Sequence, residues 1–205
     1  MFMTIKNEAV VEIIEKKSRF IGHAFIVENE DQIEQYLLKV RKDNLKANHN
    51  CYAYLLENGL QKFSDDGEPG STAGRPIFDV ISGNELKNVL IIVTRYFGGT
   101  LLGTGGLVRA YSRAAKEVIV KSGLIKKVEI KLMCVACSYA EYGKVEYLLK
   151  SNNYVIRDSI FTDSVEIWVE VNLLERENFK KFLIDQTNNS VTLIEGATEM
   201  ISIDL

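Results

Sequence analysis

Histidine, cysteine and long apolar runs are all scarce in this 205-residue chain, and each scarcity removes a class of function. Two histidines, His23 and His49, are too few for a histidine-rich metal centre. Three cysteines, an odd number, argue against a disulfide framework. No apolar run approaches the roughly 20 residues that span a bilayer. The N-terminus carries charges early and lacks the apolar core of a signal peptide. A cytoplasmic protein without membrane attachment is therefore expected. Internal repeats and low-complexity segments are also absent. The hydrophobic fraction, 46%, is ample for a core, and the length suits one large domain or two small ones.

Charge is unevenly spread. Residues 1–127 hold 18 Lys/Arg and 15 Asp/Glu, a balance of +3, whereas residues 128–205 hold 7 and 13, a balance of −6. Such asymmetry points to different partners for the two halves.

Periodicity divides the chain in the same way. Thr4–Glu15, Arg19–Val27 and Asn50–Leu56 read as strands, and 31–42 as an amphipathic helix with Ile33, Leu37 and Val40 on one face. A turn-rich loop over 63–76 leads to a short helix, Ile77–Ile81. Val89–Thr94, β-branched and apolar throughout, reads as a central strand buried on both faces. Leu107–Val120 reads as a helix closed by Gly123. A boundary is expected at Lys126-Lys127, giving domains 1–127 and 128–205. Beyond it come strand, helix, two strands, helix and a last strand interrupted at Gly196. That is the βαββαβ order of a ferredoxin-like domain.

The richest segment runs from Arg95 to Arg113 and holds five of the fourteen glycines. A strand enters it and a helix leaves it, a common way to build an anion site, because glycines admit close approach and a helix N-terminus offers free N–H groups. Gly98 and Gly103 have the Walker A glycine spacing, but Thr104-Gly105 stands where Lys-Ser/Thr is needed. Gly103 and Gly105 begin a dinucleotide fingerprint, but Val108 occupies its third glycine position. What survives is generic. Thr104 is a candidate N-cap of a helix opened by Gly103–Gly106, and Arg109 and Arg113 share one helical face. With Arg95, they offer guanidinium groups to a phosphate or carboxylate.

Other candidates carry less chemistry. Asp65, Asp66 and Glu68 are hard oxygen ligands that suit Mg²⁺ or pair with nearby arginines, and Ser71, Thr72 and Gly74 add donors. His49 and Cys51, two apart on a strand, point to the same face roughly 7 Å apart, too far for a nucleophile–base pair without rearrangement. Cys134 and Cys137, three apart on a strand, fall on opposite faces and form neither a redox pair nor a chelate. Trp168, flanked by Glu166 and Glu170, points away from the helices of the second half, and its expected contact is the first half or another subunit.

Taken together, Ser18–Ile21, His49–Tyr54, Ser64–Pro69 with Thr72–Pro76, and Arg95–Gly99 through Leu102–Tyr111 resemble the IMPACT family, in its YigZ-type bacterial branch. The resemblance covers about the first 115 residues. It implies an α+β protein, in which an N-terminal domain of the ribosomal-protein-S5 domain-2-like fold is followed by a ferredoxin-like domain similar to those of elongation factors. That tandem order makes RNA or ribosome contact the expectation. Eukaryotic members regulate translation by interfering with activation of a starvation-responsive kinase, largely through an additional N-terminal domain. This chain begins at the shared domain, so kinase regulation is not carried over.

The expected function is therefore a non-catalytic RNA- or ribosome-associated protein that modulates translation without cofactor or metal. Arg19, Arg75, Arg95, Arg109 and Arg113 would contact phosphates, with Gly98, Gly99, Gly103, Thr104, Gly105 and Gly106 allowing close approach. His49, Cys51, Tyr52, Tyr54, Asp65, Asp66, Glu68, Ser71, Thr72 and Tyr96 would form the adjoining motif surface, its tyrosines available for base stacking. The alternatives are a Mg²⁺-dependent enzyme acting on a phosphorylated small molecule and a module that binds another protein.

Overall fold

The computed structural model describes residues 1–205 and divides them into two compact units, Phe2–Lys126 with Ile203–Leu205, and Lys127–Ser202 with Met1. Both are α+β. No helix of the chain is long and apolar enough to cross a membrane.

In the first unit the elements follow the order β1 (Phe2–Ile5), β2 (Ala9–Glu15), β3 (Ser18–Ile26), α1 (Glu30–Asp43), β4 (His49–Leu55), β5 (Gln61–Ser64), α2 (Gly74–Gly83), β6 (Val89–Tyr96) and α3 (Thr104–Ser122). Five strands form an antiparallel sheet in the order β2-β3-β6-β4-β5. β6 is central, and Val89 to Thr94 are fully buried, as a strand covered on both faces should be. Alternation along each strand then assigns the faces. Cys51, Ala53, Ile91 and Val93 pack with Ile77 and Ile81 of α2 and with Tyr111, Ala114 and Ala115 of α3. Tyr52, Tyr54, Leu90 and Ile92 pack with Ile33 and Val40 of α1 on the opposite face.

Three local readings are corrected. The strand expected over Thr4–Glu15 is broken at Lys6-Asn7-Glu8, because the Lys6 and Asn7 N–H groups turn away to the carbonyls of Gly123 and Ser122. The loop expected over 63–76 is shorter at both ends: Phe63 and Ser64 belong to β5, and α2 begins at Gly74. Thr104 does not cap α3; Gly103 is the N-cap, at φ +73°, and no side chain accepts from the first turn.

The second unit contains β7 (Leu124–Cys137), α4 (Tyr139–Ser151), β8 (Val155–Phe161), β9 (Val165–Asn172), α5 (Arg176–Thr187) and β10 (Thr192–Asp204). The sheet has five strands, in which β10 and β1 both pair with β7, followed by β9 and β8; β10-β7-β9-β8 is the arrangement of a ferredoxin-like sheet. Met133, Val135 and Cys137 of β7 and alternate residues of β9 from Val165 to Val171 pack on Val145 and Leu149 of α4 and Phe179 and Leu183 of α5. A capping box of Ser138 and Glu141 opens α4. β7 begins four residues before the strand expected at Val128 and runs through Lys126-Lys127 without a break. β10 is also continuous through Gly196. A Cβ there would stand 2.7 Å from the indole of Trp168, so the glycine makes room for the ring rather than interrupting the strand. The indole thus finds a contact inside its own unit.

Candidate functional site

β4 and β6 run antiparallel with His49 opposite Arg95 and Cys51 opposite Val93. The segment 65–73 folds against this strand pair through its own carboxylates. The Asp65 carboxylate accepts from the N–H groups of Ser71 (2.8 Å), Ala73 (3.0 Å) and Gly74 (2.8 Å). It therefore caps α2 from eight or nine residues upstream, which explains the early helix start. Asp66 accepts from the Asn50 N–H at 2.6 Å and lies 3.4 Å from Arg41. Thr72 is buried, its hydroxyl donating to the Pro69 carbonyl at 2.6 Å. His49 Nδ1 donates to the Asp66 carbonyl at 2.9 Å, which fixes its tautomer, and Nε2 stands 3.8 Å from Glu68.

At the centre is a buried ion pair. Glu68 is 8% and Arg95 6% exposed. One Glu68 oxygen accepts from Arg95 Nη1 at 2.6 Å and from the Tyr111 hydroxyl at 2.7 Å. The rings of Phe20 and Phe97 flank the guanidinium at 5.4 and 5.6 Å. Burial pushes the Tyr111 phenol far up, so it remains a neutral donor to Glu68. The Cys51 thiol is also buried and donates to the Asp65 carbonyl at 2.9 Å. Burial drives its pKa up to about 12, opposed by the hydrogen bond to Tyr111. A nucleophilic cysteine requires the opposite shift. Alkylation of Cys51 by iodoacetamide in the native protein at pH 8 should therefore be roughly a thousandfold slower than for an ordinary thiol and still rising with pH above 9. Rapid labelling at pH 8, followed by peptide mass spectrometry, would reverse this assignment.

The three loop carboxylates are thus spent on separate partners, and no group of three or more His, Cys, Asp or Glu side chains is disposed to hold a metal ion. Tyr52 and Tyr54 stack on each other, buried on the α1 face, and are not presented to bases. Tyr96 donates to the Asn44 side chain at 2.8 Å. Most of the expected motif surface is therefore turned to hydrogen bonds within the chain that hold the 65–73 segment in place, while Nε of the buried Arg95 has no partner. Among the aromatic residues around it, Phe97 is 46% exposed.

The arginines separate. Arg95 is enclosed. Arg19 is held bidentate by Glu12 at 2.8 and 2.9 Å, and Arg75 by Asp79 at 2.7 Å. Arg109 and Arg113 come together around a groove of about 220 Å³, with Glu15, Lys16, Leu102, Gly106 and Ala110 completing its walls. Arg113 is paired with Glu117 at 2.7 Å, on an exposed surface where such pairs are weak. Arg109 is exposed and enters no ion pair. Beside the groove, α3 opens with Thr104, Gly105 and Gly106 and no acidic residue in its first turn. Gly99 and Gly103 take positive φ, +82° and +73°. Gly98 packs so tightly on Lys17 and Ser18 that a Cβ would be 2.0 Å from the Lys17 carbonyl carbon. That contact joins the glycine loop to the turn between β2 and β3.

Lys16 escaped the sequence reading. It occupies that two-residue turn with Lys17, both at positive φ (+45° and +70°). The signal was available: a hairpin between Glu15 and Ser18 places its tip at the end of the sheet from which the glycine loop also departs.

Comparison with known proteins fits these two units. Residues 16–119 match the Impact N-terminal domain, and residues 135–190 match a domain of unknown function, DUF1949. The IMPACT family member YvyE of Bacillus subtilis (strain 168) is 34% identical over 197 residues, 95% of this chain and 91% of that protein. The IMPACT family member YigZ of Escherichia coli (strain K12) is 31% identical over 189 residues, 90% of this chain and 92% of its own. A crystal structure described as that of a hypothetical protein superposes with a TM-score of 0.61 at 28% identity, covering 94% of this chain and 96% of that one.

Proposed function

The chain belongs to the IMPACT family, and on that premise we propose that it is a non-catalytic, RNA- or ribosome-associated protein that acts on translation through the groove between the β2–β3 turn and α3. The observation carrying this reading is the convergence of Lys16, Arg109 and Arg113 on one concave surface, with Glu15 the single acid in its walls. An unpaired guanidinium beside a helix N-terminus is suited to a phosphate, since neither Arg109 nor the first-turn N–H groups give up an internal partner on binding. Translation as the setting comes from the family resemblance. The Mg²⁺-dependent alternative is disfavoured because Asp65, Asp66 and Glu68 do not converge.

Binding of single-stranded RNA or of purified ribosomes should weaken linearly on a log–log plot against salt, because each neutralised phosphate releases counterions. Arg109→Ala with Arg113→Ala should lower affinity at least about tenfold and flatten that slope by roughly 1.5–2. Fluorescence anisotropy across a salt series, with co-sedimentation for ribosomes, measures both. Absence of binding at about 50 mM salt, or an unchanged slope in the double variant, defeats the reading.

A further inference from the structure

On the opposite face of the first unit's sheet, α1 leaves an open groove of about 530 Å³ beside β2 and β3. That volume is in the range of small-molecule sites. Its walls differ in kind from those of the cationic groove. Lys39 and Lys121 are matched by Glu8 and Asp43, so the lining is charge-balanced, and Val10, Phe25 and Val40 make it partly apolar. A phosphate or nucleic-acid backbone finds no net attraction in such a lining.

Two of the four charges are already used. Lys121 donates to the Val10 carbonyl at 2.8 Å, and Glu8 accepts from the Tyr36 hydroxyl. Lys39 and Asp43 are exposed one turn apart on α1 with neither an ion pair nor a side-chain hydrogen bond, and they are not within ion-pair distance of each other. His23 of β3 lines the same groove, and its Nε2 is shielded from solvent yet has no partner in the protein. A buried polar atom without a partner is unfavourable and calls for an explanation. The imidazole stacks at 6.2 Å on Phe25, which stacks at 4.1 Å on Tyr36, so this row of rings fixes its position. Burial holds His23 neutral, with its pKa down to about 4, while Asp43 favours and Lys39 opposes its protonation.

We infer that this groove binds a free zwitterionic amino acid with an apolar side chain, its carboxylate on Lys39, its ammonium on Asp43 and its side chain against Val10 and Phe25. One cation and one anion, both unpaired and one helical turn apart, match a ligand that carries both charges on a single carbon. His23, held in place by the ring stack, lines the same groove. The site is separate from the Lys16–Arg109–Arg113 groove, and neither depends on the other.

Isothermal titration of the full chain with L-leucine and L-phenylalanine tests the assignment. At least one should bind saturably, and the matched analogue lacking a charge, N-acetyl-leucine or leucinamide, should bind roughly tenfold more weakly or not at all. Lys39→Met and Asp43→Asn, both at exposed positions without structural partners, should each cause a similar loss while leaving the melting temperature unchanged. The inference is overturned if neither amino acid binds at up to about 10 mM, if the blocked analogues bind as well as the free amino acid, or if both variants bind like the parent protein.

Discussion

Glu68→Ala is expected to destabilise the first unit by roughly 3–5 kcal/mol, the range found when one member of a buried ion pair is removed. The substitution leaves the Arg95 guanidinium enclosed without its carboxylate and deprives the buried Tyr111 hydroxyl of its acceptor. Arg95 cannot relax into water easily, because Phe20 and Phe97 hold its guanidinium on two sides. Tyr111→Phe removes only the hydroxyl and should cost about 1–3 kcal/mol. Glu68→Met with Arg95→Met should recover much of the loss, since the pair's own desolvation nearly cancels its attraction. Urea denaturation followed by circular dichroism is the suitable measurement, because the single tryptophan, Trp168, lies in the second unit. A loss below about 1 kcal/mol for Glu68→Ala would mean that Arg95 is solvated and that the cluster is not an interior at all.

This cluster also shows where reading from sequence stops. Arg95 and Arg109 flank the same glycine loop and look equivalent in one dimension. Strand β6 is buried on both faces, so alternation cannot say whether position 95 meets solvent or core. Its fate is decided by Glu68, 27 residues away. Tyr52 and Tyr54 are similar: alternation separates them correctly from Cys51, but only the presence of α1 on that face turns two candidate stacking rings into core. Asp65 caps α2 across eight residues, outside the three-residue window in which capping is recognised. By contrast, β6, α3, the Gly123 cap and the βαββαβ order of the second unit were legible, because each rests on periodicity or on residues adjacent in the chain.

Gly98→Ala should be the other severe substitution, and it separates two reasons for a glycine at that position. A glycine kept so that a phosphate can approach would tolerate alanine in the unbound protein and lose only ligand affinity. Here the added Cβ would stand 2.0 Å from the carbonyl carbon and 2.2 Å from the carbonyl oxygen of Lys17, and 2.4 Å from the Ser18 nitrogen. All three are main-chain atoms, so no rotamer change relieves the clash, and the β2–β3 turn must part from the loop before α3. The expected loss is about 3 kcal/mol or more, at the upper end for overpacking. Gly99→Ala is the control: φ is +82° but nothing lies within 4 Å, so only the backbone strain of roughly 1–2 kcal/mol applies. The same displacement carries Lys16 away from Arg109 and Arg113. Gly98→Ala should therefore weaken RNA binding even at temperatures where the variant is still folded, whereas Gly99→Ala should not. Melting curves together with anisotropy at one fixed salt concentration decide it. If Gly98→Ala melts like the parent chain yet fails to bind RNA, the glycine serves the ligand directly. If it is destabilised and still binds normally, Lys16 is no part of the groove's function.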